Sequence, residues 1–406
     1  MRRIITISIC LFFMASLTAT AGGYQVRLQG QKQTGIGLIG SPFSYDASSI
    51  FYNPGGLSFL KDKYNFTLGV SGIMSNHIFR MQGSDYEERT DNPISTPFAV
   101  YGSGKISDKI SLGLGVYTPF GSSAKWPDGW AGKYLVQDIS LMAIFIQPTI
   151  SYQITDKIGL GAGFIYATGN VKLSRSIPKV NDATVELDGN AGSIGFNVGM
   201  YFTPNEKLSF GIDYRSKVIM KVEDGDATFS DVPAFLQGSI PPNNKFGSEL
   251  PLPANLDFGL AYKLSEKLTL AAEVNWVMWN IYDSLKFTFT KNPESLNSSN
   301  PRVYKDSWIS RIGAEYMLNE KFTFRAGVYY DPSPTNEDYF TPETVSLNTL
   351  AFTLGMTYTP VKGLDIDLSY LQLHGLEADK QYEPGGFAGT YKTLTMIPGI
   401  GVSYSF

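Results

Sequence analysis

From Tyr64 to Phe406 apolar and polar residues alternate with a period of two, and short polar turns, usually ending in lysine, break the alternation at intervals. Six of them are Ser107-Asp108-Lys109, Thr155-Asp156-Lys157, Pro204-Asn205-Glu206-Lys207, Ser265-Glu266-Lys267, Asn319-Glu320-Lys321 and Pro360-Val361-Lys362-Gly363. Between consecutive turns lie two strand-like runs joined by a longer, irregular loop. After one turn, Leu208, Phe210, Ile212 and Tyr214 share one face and Ser209, Gly211, Asp213 and Arg215 the other. After another, Leu364, Ile366, Leu368 and Tyr370 stand against Asp365, Asp367 and Ser369. Successive side chains on a strand point to opposite faces, so each run has one oily wall and one polar or very small wall. The pattern predicts strands at 64–77, 94–106, 110–120, 139–153, 158–172, 191–203, 208–221, 254–264, 268–280, 306–317, 322–330, 347–359, 363–374 and 390–406. That count is even, and tight turns on one side with long loops on the other are the rhythm of a transmembrane antiparallel β-barrel.

Alternation alone also fits a soluble sandwich, in which the oily wall faces a core. The last run separates the two. Leu394, Met396, Pro398, Ile400, Val402, Tyr404 and Phe406 share a face, and the run stops on an aromatic residue, as in the closing strand of an outer-membrane barrel. Backbone groups in lipid have no water to bond, so such a sheet must close on itself.

Composition agrees with an all-β reading: 43% hydrophobic, 14% aromatic and 17% charged residues, with 41 glycines, and almost no 3.6-residue periodicity. The start, Met1-Arg2-Arg3, an apolar core from Ile4 to Leu17 and the small residues Ala19-Thr20-Ala21, reads as an export signal over residues 1–21, with a mature start at Gly22. Its removal takes Arg2 and Arg3 and lowers the net charge from −4 to −6; with no basic stripe, nucleic acid is excluded as a partner. Cys10, the sole cysteine, goes with the signal, which leaves no thiol, disulfide or cysteine metal site. The destination is the bacterial outer membrane, with its lipid and lipopolysaccharide as surroundings.

Residues 22–63 do not alternate and are left over once a barrel of residues 64–406 is built. A lumen of fourteen strands is wide enough to need filling, so a plug, or hatch, is their natural use. Within them lies Asp46-Ala47-Ser48-Ser49-Ile50-Phe51-Tyr52-Asn53-Pro54-Gly55-Gly56-Leu57. This stretch resembles the hatch motif of the FadL/TodX family of outer-membrane transporters of long-chain fatty acids and other hydrophobic compounds. The likeness continues in Tyr117-Thr118-Pro119-Phe120-Gly121, in Trp126, in Trp130-Ala131-Gly132-Lys133-Tyr134 and in Gln147-Pro148-Thr149-Ile150-Ser151-Tyr152, and covers essentially the whole mature chain. Gly55 stands where that family usually has alanine.

The resemblance implies passive uptake. Outer loops catch a fatty acid or hydrocarbon, a lumen pocket gated by the hatch at Asn53, Pro54, Gly55 and Gly56 receives it, and it leaves sideways into the membrane. Sideways exit requires a break in the wall. Thr118, Pro119, Phe120 and Gly121 are the candidates, because proline removes a ladder donor and glycine weakens a strand. An oily outer loop expected from Val222 to Pro253 supplies Phe235, Leu236 and Ile240 as capture residues, the first two on one helical turn from Val232 to Leu236.

Rival readings have weaker support. Gly35-Ile36-Gly37-Leu38-Ile39-Gly40 matches a dinucleotide-binding pattern but has no βαβ unit around it. Asp213, Arg215, Asp257, Glu273, Arg311, Glu315, Arg325, Asp365 and Asp367 have lumen parity and mixed signs. They read as pairs that satisfy the lumen and anchor the hatch, although a cation among them is able to meet a ligand carboxylate. His77 and His374, the two histidines, sit in no nucleophile constellation and are too few for a metal site. The chain is therefore expected to be a monomeric transporter without catalytic residues, metal or cofactor; the alternatives are a general diffusion porin and a loop-based surface receptor.

Overall fold

The computed structural model describes residues 23–180 and 183–406; the export signal, Cys10 and Gly22 lie outside the described residues. Fourteen spans form one closed antiparallel barrel, each paired with its neighbours in sequence. They are β1 (Tyr64–Ser71 and Met74–Met81), β2 (Glu87–Arg89 and Phe98–Lys105), β3 (Ile110–Lys125), β4 (Asp138–Thr155), β5 (Ile158–Ser176), β6 (Thr184–Asn205), β7 (Leu208–Arg215 and Val218–Ser230), β8 (Asn243–Leu252 and Ala254–Lys263), β9 (Leu268–Met278 and Ser284–Phe289), β10 (Ser298–Pro301 and Ser307–Asn319), β11 (Phe322–Asp331), β12 (Thr349–Val361), β13 (Leu364–Tyr382) and β14 (Phe387–Ser405). Asn65↔Ser405 through Ser71↔Gly399, then Met74↔Met396 through Met81↔Gly389, close the ring between β1 and β14.

The apolar walls predicted from alternation face outward. Leu112, Leu114, Phe164, Phe324, Leu368, Met396, Ile400 and Tyr404 are all exposed although large and oily, which only lipid accommodates. At the turn side Tyr64, Phe66, Tyr404 and Phe406 cluster, and towards the loop side Trp276 and Trp308 stack 5.2 Å apart on neighbouring strands. Aromatic girdles at the two interfaces are what such a barrel needs.

Several spans run further towards the loops than alternation predicts. The loop expected over Val222 to Pro253 is instead largely β7 up to Ser230 and β8 from Asn243, and only 231–242 remain as loop. The reason is an inversion of pattern. Above the lipid the outward face carries Lys172, Glu186, Lys221, Lys245 and Glu249 in exposed ion pairs. The inward face there carries Leu173, Leu187, Val222 and Phe246, all buried. Water has replaced lipid outside, so the oily-out rule that marks the lower strands no longer holds.

Residues 23–63 lie inside the barrel and are almost wholly buried. They form a short helix α1 (Gln31–Gly35), a single turn α2 (Ser49–Tyr52) and a 3₁₀ turn (Pro54–Phe59). Their path follows a belt of inward-facing glycines round the wall. Ile50 packs on Gly113 and Gly115 of β3, Pro54 and Gly55 on Gly159, Gly161 and Gly199 of β5 and β6, and Ser41 on Gly211 and Gly259 of β7 and β8. Ile36 then meets Gly313 of β10, Gly37 meets Gly327 of β11, Gly35 meets Gly355 of β12, and Gln31 meets Gly69, Gly399 and Gly401 of β1 and β14. Within the Gly35–Gly40 run, Gly35 and Gly37 therefore serve close approach to the wall and Gly40 close approach to Tyr52, and not a nucleotide.

Candidate functional site

The four residues of the hatch motif wedge against β4 to β6. Asn53 caps the 3₁₀ turn by accepting from Gly55 N at 3.0 Å, and its Nδ2 donates to Ser41 O at 2.8 Å and to Met200 O of β6 at 2.9 Å. Ser44 Oγ donates to Gly56 O at 2.7 Å. Pro54 fills the space over Gly161 and Gly199. A Cβ on Gly55 would stand 2.7 Å from Gly159 O and 2.8 Å from both Gly199 O and Tyr201 N, all of them backbone atoms of the wall. Alanine, the usual residue of the resembled family, does not fit this packing. Gly55→Ala is expected to cost about 1–3 kcal/mol by overpacking, read as a lower temperature of barrel unfolding in thermal denaturation.

Charge clamps the same segment. Arg27 donates to Asp257 and Glu273, each at 3.1 Å, and Glu273 also accepts from Gly40 N, Ser41 N and Ser41 Oγ and lies 3.4 Å from Arg311. Lys32 meets Asp365 at 2.8 Å, Asp46 at 3.4 Å and Asp367 at 3.9 Å. Burial alone would push the Lys32 ammonium down, but the carboxylates of Asp46, Asp367 and Asp365 outweigh it and hold the group above the usual lysine range. Arg325 pairs with Glu315 at 2.7 Å, while Arg215 donates to Phe51 O at 2.6 Å and to Tyr117 Oη at 2.8 Å. Alternation picked out the wall's half of these pairs. Arg27 and Lys32 escaped it because their segment has no period.

β3 does not end at Pro119. It runs on to Lys125, with an extra residue inserted between Tyr117 and Phe120 relative to β4. β2 and β3 pair only from Lys105↔Ser111 to Ala99↔Tyr117, after which β2 loses strand geometry over 90–97, where Pro93 and Pro97 lack an N–H. Thr118 Oγ1 exchanges bonds with Phe98 at the lower end, and Asp91 N to Lys125 O at 2.8 Å and Lys125 N to Asn92 Oδ1 at 2.8 Å close the upper end. Between these ties, no hydrogen bond joins 93–97 to 119–124 among the described residues.

The freed edge of β3 takes another partner. Val26 N donates to Pro119 O at 2.8 Å and Gly121 N donates to Tyr24 O at 3.1 Å, so the start of the inner segment lies as a short antiparallel strand on the bulge. Phe120 turns inward, with Phe145 at 6.0 Å and Tyr24 at 6.3 Å between ring centroids. Gly121 turns outward opposite Met142.

A cavity of about 510 Å³ passes through this gap. It is lined by the inward-facing Arg311, Tyr329 and Ile397 and also by Ile94 and Met142. The last two are 62% and 48% exposed on the outer, lipid-facing side. One space thus touches both sides of the wall. Ser122, Leu141 and Met142 also line a second, apolar pocket of about 70 Å³ nearer the loops, walled by Leu173, Val222, Phe246, Leu250 and Phe287. Tyr24 lines that pocket, while Gly23, Gln25 and Val26 line the larger cavity. None of Asn53, Pro54, Gly55 and Gly56 lines either space; Thr118, Phe120 and Gly121 line the larger one. Phe235 stands on a 3₁₀ turn (Ala234–Leu236) and is 84% exposed, whereas Leu236 and Ile240 pack partly against an aromatic cluster that includes the stacked, buried Trp126 and Trp130.

Fold and site together define an outer-membrane β-barrel with an occupied lumen and a perforated wall. Residues 12–406 match the family described as outer membrane protein transport protein (OMPP1/FadL/TodX), and the chain belongs to it. It is 24% identical to the 47 kDa outer membrane protein of Pasteurella multocida, over 96% of this chain and 95% of that one. It is 23% identical to the long-chain fatty acid transport protein of Salmonella typhi, over 90% of each. Its fold superposes on a FadL homologue from Pseudomonas aeruginosa with a TM-score of 0.83, at 20% identity, covering 95% of this chain and 100% of that one. For the toluene transporter TodX of Pseudomonas putida, another solved structure, the TM-score is 0.72 at 17% identity, covering 93% of this chain and 98% of that one.

Proposed function

We propose that this protein is a monomeric passive uptake channel for hydrophobic small molecules, fatty acids or hydrocarbons, that releases them sideways into the outer membrane. Lipopolysaccharide slows such molecules, and a water-filled pore gives them no favourable path. The loops around Phe235, Leu236 and Ile240 catch the ligand, and the apolar pocket receives it. Residues 23–63 act as a hatch held by Asn53 to Gly56, and movement of Tyr24 to Val26 off the β3 bulge connects the pocket to the gap. The observation that carries this reading is the single cavity shared by inward-facing Ile397 and lipid-exposed Ile94 and Met142.

Mass spectrometry of hydrophobic molecules co-purifying with the protein tests the reading, and a bound apolar molecule is the expected result. No such molecule, together with a large single-channel conductance, would make the protein a diffusion porin. Truncating Phe235 and Leu236 to alanine is expected to weaken binding of that molecule at least about tenfold. Each buries enough apolar area to be worth roughly 1.5–3 kcal/mol when fully covered. Unchanged affinity would mean that these residues only pack over the barrel mouth.

A further inference from the structure

The apolar pocket at the loop end of the barrel has a charge pattern that chooses among hydrophobic ligands. Among the described residues no lysine, arginine or histidine lines it, and its one charged wall residue is Glu343, a carboxylate. Glu343 is committed to the buried Arg302, which donates to it through Nε at 3.0 Å and through Nη2. The remaining Arg302 nitrogen, Nη1, donates to Pro301 O at 3.0 Å. Nη1 also donates to Asn300 O at 3.5 Å, so four of the five Arg302 N–H donors are engaged, and Arg302 itself does not line the pocket. The Tyr24 hydroxyl, which also reaches the pocket, donates to Pro251 O. The rest of the wall is largely aliphatic and aromatic carbon.

We propose that this pocket takes an uncharged hydrocarbon and rejects the anion of an acid of the same length. The inference rests on the uptake reading above and names the substrate class within it. An ionised head group entering here would lose its water and gain no cation, and it would face the oxygens of Glu343. Carboxyl groups in such surroundings have their ionisation suppressed by roughly 3–5 powers of ten. A methyl group at the same position loses nothing and gains apolar contact.

The test compares octane with octanoate at pH 8, by equilibrium dialysis against the full chain in lipid nanodiscs, with empty nanodiscs as background. Leu250→Trp, which fills the pocket, serves as the site control, and the compact migration of unheated barrel on a denaturing gel checks that it has folded. Octane is expected to bind the wild type at least about a hundredfold more tightly than octanoate, and Leu250→Trp is expected to abolish that binding. Leu250→Lys, which supplies the missing cation, is expected to raise octanoate affinity and lower octane affinity. If octanoate binds the wild type as tightly as octane and Leu250→Trp removes both, the neutral-ligand inference is overturned while the uptake reading stands. If neither probe binds above background, both are overturned.

Discussion

Replacing Gly121 by tryptophan is expected to reduce uptake of a hydrophobic substrate to the background of cells without the protein, with the barrel still assembled. Gly121 faces outward at the bulge of β3, and a Cβ there meets only Leu141 O, at 3.2 Å. The added indole therefore projects into the gap between β2 and β3 and not into packed wall. Indole rings are stable at a lipid boundary, so the variant should keep its compact migration on an unheated gel. The comparison is uptake at equal surface abundance. Undiminished uptake would remove sideways exit from the account, because no other described part of the route passes Gly121.

Deleting residues 23–60 is expected to have the opposite sign of effect, converting a barrel without resolvable conductance into an open, ion-conducting pore. The deleted stretch contributes Arg27 and Lys32 and packs on glycines of β1, β3, β5 to β8, β10 to β12 and β14. Its loss leaves a wide channel edged by Asp257, Glu273, Asp365 and Asp367, which no longer have those two cations. Cation selectivity should follow from the exposed carboxylates. Planar-bilayer recording measures both. A general diffusion porin would conduct equally before and after the deletion.

The barrel was legible because lipid imposes one rule on every strand: oily residues such as Leu112 and Phe324 outward, small or polar ones such as Gly113 and Arg325 inward. Where water replaces lipid the rule reverses, and residues 222–230 and 243–252 read as loop although they are strand. The lumen was half legible. Asp257, Glu273 and Asp365 carry strand parity and announce an inward charge. Arg27, Lys32 and Tyr24 sit in a segment whose conformation is set by the wall it lines, so no local period marks them. The gap showed the same asymmetry. Pro119 and Gly121 flagged its β3 side, while its β2 side follows from Pro93 and Pro97, whose missing donors were a usable signal; strand counting absorbed Pro97 into a run from 94 to 106 and began that run directly after Pro93. The motif Asn53 to Gly56, read from the sequence as a gate, bonds to Ser41 and Met200 and lines neither space, while the residues at the junction of the two spaces are Tyr24 to Val26.

The most direct test of sideways release is to locate the ligand as it leaves. A photoactivatable alkane, supplied from outside to cells carrying the wild-type protein and activated by light during uptake, is expected to form adducts on Ile94, Gly121 and Met142. Adducts confined to the turn-side rim, at residues 155–158 and 205–208, with none at the gap, would show that the ligand runs the length of the lumen and would contradict the account.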